Sequence, residues 1–286
     1  MQLRSAALTR YLSLFILTVG ICFLTSLVRT DFATLASNQG NVVVYQTNFN
    51  KLAPGITQPY PGATDQDGWY RELALGDAFG EIQETIALDG QALHEHTAST
   101  VPPYLQTIDR RNLNPIPLGP NAVISLKVDF YAHSNNLTAV NNYLAAFEVT
   151  GGPHPGFRII GFDVGAGNGL AKSLTGVNVR LATFNGTNNN GPIPLTVGQG
   201  LAWDTWHSVT VVLDHADDTY ISITVDEQKQ DLTGYRPPRS FDGTQWLRGQ
   251  RIENLHAILI PDDVGGDRTD DDVYWDNLRV RVIPRR

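Results

Sequence analysis

The sequence contains little cysteine, methionine or charge. Cys22 and Met1 are the single cysteine and methionine among 286 residues, and charged residues make up 17% of the chain. Because Cys22 lies in an apolar N-terminal stretch, the rest of the chain has no thiol, which excludes disulfides and cysteine metal sites there. No long segment shows convincing helical periodicity, so a helical bundle is also excluded.

The charge balance is acidic. Asp and Glu number 29 against 21 Lys and Arg, for a net charge of −8. Arg4, Arg10 and Arg29 lie in or beside the apolar N-terminal stretch, so the remaining chain is more acidic still. Such a surface repels polyphosphates, and we therefore expect no nucleic acid partner and no binding to anionic membrane surfaces.

The N-terminal segment predicts export. Met1–Arg10 is positively charged and Tyr11–Val28 is an apolar run of 18 residues without a charged side chain, which is typical of a secretory signal. We interpret residues 1–36 as a signal peptide or an uncleaved N-terminal membrane anchor, since the apolar run is long enough to span a bilayer. The protein is then secreted or held in the cell envelope, and this segment is its one predicted membrane contact.

From Val42 onward, short apolar segments alternate with turns rich in Gly, Pro, Asn and Asp. In Val123–Tyr131 every second residue is apolar, the period of a half-buried strand. About ten such segments occur without intervening helices, and this pattern indicates an antiparallel β-sandwich or barrel. We expect one domain over residues 42–286.

Three segments resemble concanavalin A-like, or laminin-G-like, jelly rolls. Trp206–Gln228 resembles their Trp-led hairpin, although Glu227 stands where Gly is usual. Val273–Val282 resembles their last strand, and Tyr45–Gly55 their first. The resemblance implies an all-β antiparallel β-sandwich of the concanavalin A-like jelly-roll type; it does not by itself imply an activity.

The sequence lacks the pattern of paired carboxylates that jelly-roll glycoside hydrolases use. Jelly-roll glucanases carry Glu-x-Asp-x-x-Glu on one strand, whereas Glu81 and Glu84 here have opposite parity. The alginate-lyase type of jelly roll uses Arg, Gln, His and Tyr to neutralise a uronate and remove its proton. Residues of the first three types occur without that family's sequence strings: Gln83, His94, His96, Arg110 and Arg111. We therefore expect a non-catalytic domain.

Aromatic residues are the candidates for ligand binding, because sugar rings stack on flat aromatic faces. Trp69 and Trp206 are expected in the core. The predicted sugar platform consists of Trp203, Trp246, Trp275 and Tyr235.

Metal binding is predicted at Asp276. In a regular final strand Asp276 shares parity with Leu278 and Val280, where a buried carboxylate needs a partner or a metal. The resemblance implies that calcium joins the first and last strands, with the ligands Asn48, Asn50 and Asp276 and the outer partner Asp272. The alternative is that Asp276 only caps backbone amides of the first strand. His94 and His96 lie on one side of an extended segment and would bind a metal if a third ligand came from elsewhere.

The sequence thus favours an exported, non-catalytic carbohydrate-binding or adhesion-type domain with a structural calcium ion. A polysaccharide hydrolase or lyase with a non-standard site is one alternative. A purely structural envelope or matrix protein is the other.

Overall fold

The computed structural model describes residues 42–57, 66–74, 78–98, 107–118, 121–134, 144–151, 157–165, 176–184, 190–237, 251–259 and 270–284. The predicted signal or anchor, residues 1–36, lies outside these ranges. Within them the regular elements are all strands, and no helix is long and apolar enough to cross a membrane.

Seventeen strands follow one another along the described chain. They are β1 Val42–Thr47, β2 Gly55–Ile56, β3 Trp69–Ala74, β4 Phe79–Gln83, β5 Ala92–Ala98, β6 Thr107–Pro117, β7 Ala122–Ser134, β8 Ala145–Gly151, β9 Phe157–Gly165, β10 Asn178–Arg180, β11 Ala182–Phe184, β12 Asn190–Pro192, β13 Trp206–Asp214, β14 Thr219–Val225, β15 Gln228–Asp231, β16 Arg251–Leu259 and β17 Asp270–Pro284.

The strands form two large antiparallel sheets. The nine-stranded sheet has the order β15-β14-β13-β7-β17-β5-β4-β2, with β1 also paired to β17. The six-stranded sheet has the order β10-β9-β8-β16-β6-β3, and β11 and β12 make a separate two-stranded ribbon. This arrangement confirms the predicted all-β antiparallel sandwich.

The core lies between the two sheets, and the period-two pattern of β7 shows why. Ile124, Leu126, Val128 and Phe130 are each 0% exposed, while the residues between them lie on the opposite face. Trp69 is likewise 0% exposed and packs against Phe49 and Phe147, which confirms its predicted place in the core.

A β-bulge at Asn277 reverses the side-chain alternation of β17. Asp276 pairs with Asp129 and Arg279 with Lys127, so two residues of β17 face one residue of β7. Asn277 has a positive φ of 47°, as expected at such an irregularity. Trp275 and Leu278 therefore both point into the core, although strict alternation would place them on opposite faces.

The bulge corrects the prediction for Trp275. This residue is 0% exposed and packs against Phe130, Phe147 and Phe162, so its ring cannot form part of a sugar platform. The prediction that Trp206 lies in the core is also wrong. It is half-buried on the outer face of β13 beside Tyr131, with ring centroids 5.8 Å apart, and is not a core residue.

Candidate functional site

The outer face of the six-stranded sheet carries a compact set of polar side chains. The strand register places Tyr70 beside Arg110, and Arg110 beside His256. We call Tyr70, Glu72, Arg110, Asn254 and His256 the Arg110 cluster. These residues alternate with core residues such as Trp69 and Leu255, so the strands hold them on the side opposite the core.

Arg110 is the centre of the hydrogen-bond network in this cluster. Its Nε and Nη2 atoms donate to Oδ1 of Asn254 at 3.2 and 2.8 Å, and its Nη1 donates to Oε1 of Glu72 at 3.1 Å. His256 Nε2 lies 3.4 Å from the other oxygen of Glu72. The guanidinium is therefore fixed in orientation by an amide on one side and a carboxylate on the other.

The accessibility of these groups differs. The side chains of Arg110 and Glu72 are 15% and 21% exposed, whereas that of His256 is 1% exposed. Arg110 and Glu72 therefore keep some solvent contact, whereas His256 contacts Glu72 from a fully buried position.

Tyr70 completes the cluster with a phenol at its edge. Its hydroxyl donates to Oδ1 of Asn112 at 3.4 Å. Burial raises the pKa of Tyr70; the charge of Arg110 opposes that effect and the charge of Glu72 adds to it. The phenol is thus protonated near neutral pH and can act as a proton donor.

The outer face of the nine-stranded sheet carries a second polar set, which we call the His94 cluster: Glu81, His94, His96 and Asp272. His94 Nε2 and His96 Nδ1 each lie 2.7 Å from Oδ1 of Asp272. His94 Nδ1 lies 3.0 Å from Oε1 of Glu81. Burial of Asp272 favours its neutral form, but the contacts with the two histidines outweigh burial and hold its pKa well below the usual range.

The two clusters show which predicted lyase-type residues come together. Arg110 lies on the six-stranded sheet, while His94 and His96 lie on the outer face of the other sheet. Gln83 contacts its own turn, where its side chain binds Thr85 and Ile86. Arg111 faces away from Arg110, pairs with Asp67 at 3.1 Å and lies over the ring of Tyr45. The five residues therefore do not form one site.

The predicted calcium ligands contact a turn. Oδ2 of Asp276 accepts from the backbone amides of Leu88 and Asp89 at 3.2 and 3.4 Å, and Oδ1 accepts from Asn277 at 2.6 Å. Oδ1 of Asn50 accepts from the amide of Gln91 at 2.6 Å. Asp276 thus caps backbone amides, as the alternative expects, but they are amides of the turn after β4 and of Asn277 in β17, not of the first strand.

The other two predicted calcium residues have different surroundings, although Asn48 lines the same cavity as Asn277, the residue after Asp276. Asn48 lines a cavity of about 870 Å³ beside Lys51, Lys127 and Arg279. Asp272 belongs to the His94 cluster. Calcium binding at Asn48, Asn50 and Asp276 stays a prediction.

Trp203 and Tyr235, two of the remaining platform candidates, belong to neither cluster. Trp203 and Tyr235 are half-buried and pack against the core. Trp246 lies outside the described residues.

Sequence reasoning missed four members of the Arg110 cluster, namely Tyr70, Glu72, Asn254 and His256. A usable signal was present on β16, where the polar residues Asn254 and His256 alternate with apolar ones. That pattern marks a strand with one polar face. It does not show that Arg110, 144 residues before Asn254, lies on the neighbouring strand.

Comparison with known proteins gives matches in structure. No protein-family model matches the sequence, and a comparison with curated proteins finds no match. A structure of alginate lyase Aly36B in complex with alginate tetrasaccharide is 15% identical, covers 86% of this chain and 98% of its own, and has a TM-score of 0.51. Another Aly36B structure is 14% identical with the same coverage and a TM-score of 0.50. Alginate lyase A1-II′, a member of polysaccharide lyase family 7, is 11% identical, covers 83% of this chain and 98% of its own, and has a TM-score of 0.48.

The similarity at these identities is one of fold, that of jelly-roll sandwich proteins. It also overturns the expectation of a non-catalytic carbohydrate-binding or adhesion-type domain. Two solved structures that share this fold over 86% of the chain are of the alginate lyase Aly36B, which favours the alternative of a polysaccharide hydrolase or lyase. The earlier expectation relied on missing sequence strings, and residues brought together by strand pairing leave no such string.

Proposed function

We propose that this protein is a polysaccharide-acting enzyme that cleaves uronate-containing chains by β-elimination at the Arg110 cluster. The observation that carries the proposal is the Arg110 guanidinium, held by Asn254 and Glu72 on the outer face of the six-stranded sheet. A guanidinium in a fixed orientation is the group best suited to bind a carboxylate through two parallel hydrogen bonds.

The chemistry of β-elimination requires three roles, and the cluster has groups for each. Arg110 binds the uronate carboxyl group and neutralises its charge, which makes the adjacent C5 proton more acidic. The Glu72–His256 pair accepts that proton, with Glu72 as its accessible member. Tyr70, whose phenol is protonated near neutral pH, donates a proton to the leaving O4 as the C4–O bond breaks and a C4=C5 double bond forms.

The structural comparisons support the choice of substrate class. Aly36B, named as an alginate lyase and solved with an alginate tetrasaccharide, has a TM-score of 0.51 to this chain. Alginate is a polymer of uronates, and its carboxyl groups suit Arg110. The concanavalin A-like subclass of the fold is part of this proposal, as is export to the cell envelope or medium through the N-terminal apolar segment.

The decisive experiment is incubation of the purified protein with alginate and with other polyuronates. Elimination leaves an unsaturated uronate at each new non-reducing end, and its ultraviolet absorbance should grow with time. New reducing ends without this absorbance would instead establish hydrolysis and refute the elimination step. A glycan that is bound but keeps its length would refute catalysis.

A further inference from the structure

The His94 cluster has the composition and arrangement of a metal site. His94 and His96 alternate along β5 and so share a face, and the antiparallel register places Asp272 of β17 opposite His96. Two imidazole nitrogens and one carboxylate oxygen, one from each residue, all lie within 4.8 Å of one another. The third ligand that a histidine pair needs thus comes from a strand 176 residues away.

Hydrogen-bond accounting at His94 points to a cation between His94 and Asp272. Both ring nitrogens of His94 face carboxylates, Nδ1 towards Glu81 at 3.0 Å and Nε2 towards Asp272 at 2.7 Å. A neutral imidazole has one N–H and can donate to one of these carboxylates only. If Nδ1–H donates to Glu81, the Nε2 lone pair is directed at Asp272, an arrangement that a metal ion would stabilise.

Glu81 then has the position of a supporting carboxylate. A histidine that binds a metal through one nitrogen commonly donates its other N–H to a carboxylate, which fixes the tautomer and the ring orientation. Two further contacts hold the His94 ring. Tyr274 stacks on it at 4.3 Å with an interplanar angle of 6°, and Phe79 packs edge-on at 5.6 Å.

We propose that His94, His96 and Asp272 bind a divalent transition-metal ion of the Zn²⁺ class, supported by Glu81. Two nitrogen donors exclude a preference for Ca²⁺ or Mg²⁺, which take oxygen ligands. Tetrahedral Zn²⁺ with bonds of about 2.0–2.2 Å keeps its ligand atoms roughly 3.3 Å apart. The present contacts of 2.7 Å would therefore open slightly when the ion enters.

This metal would act as a clamp between β5 and β17. The two strands are neighbours in the nine-stranded sheet but lie far apart in sequence. The site is on the face opposite the Arg110 cluster, so the proposal does not depend on the proposed activity. The side chains of His94, His96 and Asp272 are 10%, 20% and 11% exposed, which leaves an entry path while limiting water.

The first experiment is a calorimetric titration of the full chain with Zn²⁺ after removal of metals by chelation and dialysis. We expect one equivalent to bind and the thermal midpoint to rise, because an ion that binds the folded state stabilises it. Co²⁺ should give the visible absorption of a tetrahedral site, and excess Ca²⁺ should not displace it.

The variants make the assignment specific. His96→Ala and Asp272→Asn should abolish binding, and Glu81→Gln should lower affinity about 10-fold to 100-fold while keeping one equivalent. His133→Ala is the matched control. His133 lies on the same face of adjacent β7, but its Nδ1 contacts Asp204 at 2.5 Å, so this variant should bind Zn²⁺ as the parent does.

Two results would overturn the proposal. One is a parent protein that takes up no Zn²⁺ at one equivalent, which would leave His94 as a ring hydrogen-bonded between two carboxylates. The other is equal Zn²⁺ binding in the parent and in a folded His96→Ala protein. Circular dichroism of each metal-free variant separates loss of the site from loss of the fold.

Discussion

The indole N–H of Trp275 donates a hydrogen bond of 2.8 Å to Oε2 of Glu95, and both residues are fully buried between the sheets. Glu95 has an acidic neighbour, Asp109, which is also 0% exposed. Burial raises the pKa of Glu95, and the charge of Asp109 raises it further. The interior of the sandwich thus contains two neighbouring carboxyl groups, and simultaneous ionisation of both is unfavourable.

Replacement of Asp109 by Asn should stabilise the protein at neutral pH. Burial raises the pKa of Asp109 from 3.8 to about 6, so between these values the folded state binds more protons than the unfolded chain. The contribution of this group to stability is therefore complete below about pH 4 and is lost as the pH rises through 6. Asparagine keeps the neutral form, and at pH 7 the gain should be on the order of 2–3 kcal/mol.

Thermal unfolding of parent and Asp109→Asn from pH 4 to 7 checks this prediction. The difference in midpoint should grow as the pH rises. Asp217→Asn, at an exposed position, should show no such growth. A pH-independent difference would contradict the raised pKa.

Trp275→Ala should destabilise the protein far more than Trp206→Ala. Trp275 fills the core beside Phe130, Phe147 and Phe162, and truncation of a large core side chain costs about 3–5 kcal/mol. Truncation of the half-buried Trp206 should lower stability less, because less apolar contact is lost with its ring. Chemical denaturation of both variants measures the two losses, and equal losses would refute the bulge-based placement of Trp275.

Period-two patterning predicts most of the fold, and the bulge marks its limit. The alternation in Val123–Tyr131 identifies β7 and its core face correctly. The same reasoning fails in β17, because one extra residue at Asn277 exchanges the faces of all residues on one side of it. The sequence Trp275–Leu278 contains no local signal that predicts the bulge. The bulge arises when β17 pairs with β7.

The candidate sites show a similar division between local and distant information. The shared face of His94 and His96 follows from their spacing alone. The positions of Asp272 beside them and of His256 beside Arg110 follow from strand pairing across 176 and about 146 residues, which no local pattern encodes.

Asp276→Ala should lower stability even in the presence of a chelator. Its carboxylate accepts hydrogen bonds from the amides of Leu88, Asp89 and Asn277, and amides that lose a partner cost about 1–3 kcal/mol. Thermal unfolding with chelator measures this loss. The predicted calcium ion would add a calcium-dependent rise of the midpoint that is present in the parent and absent from Asp276→Asn. If calcium does not change the thermal midpoint of the parent, Asp276 only caps backbone amides and binds no calcium.

Substitution of Arg110 should impair cleavage of polyuronates without unfolding the protein. Arg110→Lys keeps the charge but loses the planar fork that binds a carboxylate. A charge-assisted hydrogen bond contributes about 1.5–3 kcal/mol, so kcat/KM should fall roughly 10-fold to 100-fold. Tyr70→Phe removes the proposed proton donor. It should lower kcat by about 10²-fold or more with little change in KM, because the proton moves only in the transition state.

Arg251→Ala is the matched control for both substitutions. Arg251 is exposed at the start of β16 in the same sheet, outside the Arg110 cluster, so this variant should cleave at the parental rate. The thermal midpoint of each variant shows whether a loss of rate reflects unfolding. Parental rates in folded Arg110→Lys and Tyr70→Phe proteins would remove the Arg110 cluster as the active site, even if the parent cleaves alginate, since elimination needs a carboxylate-binding group and a proton donor where the bond breaks.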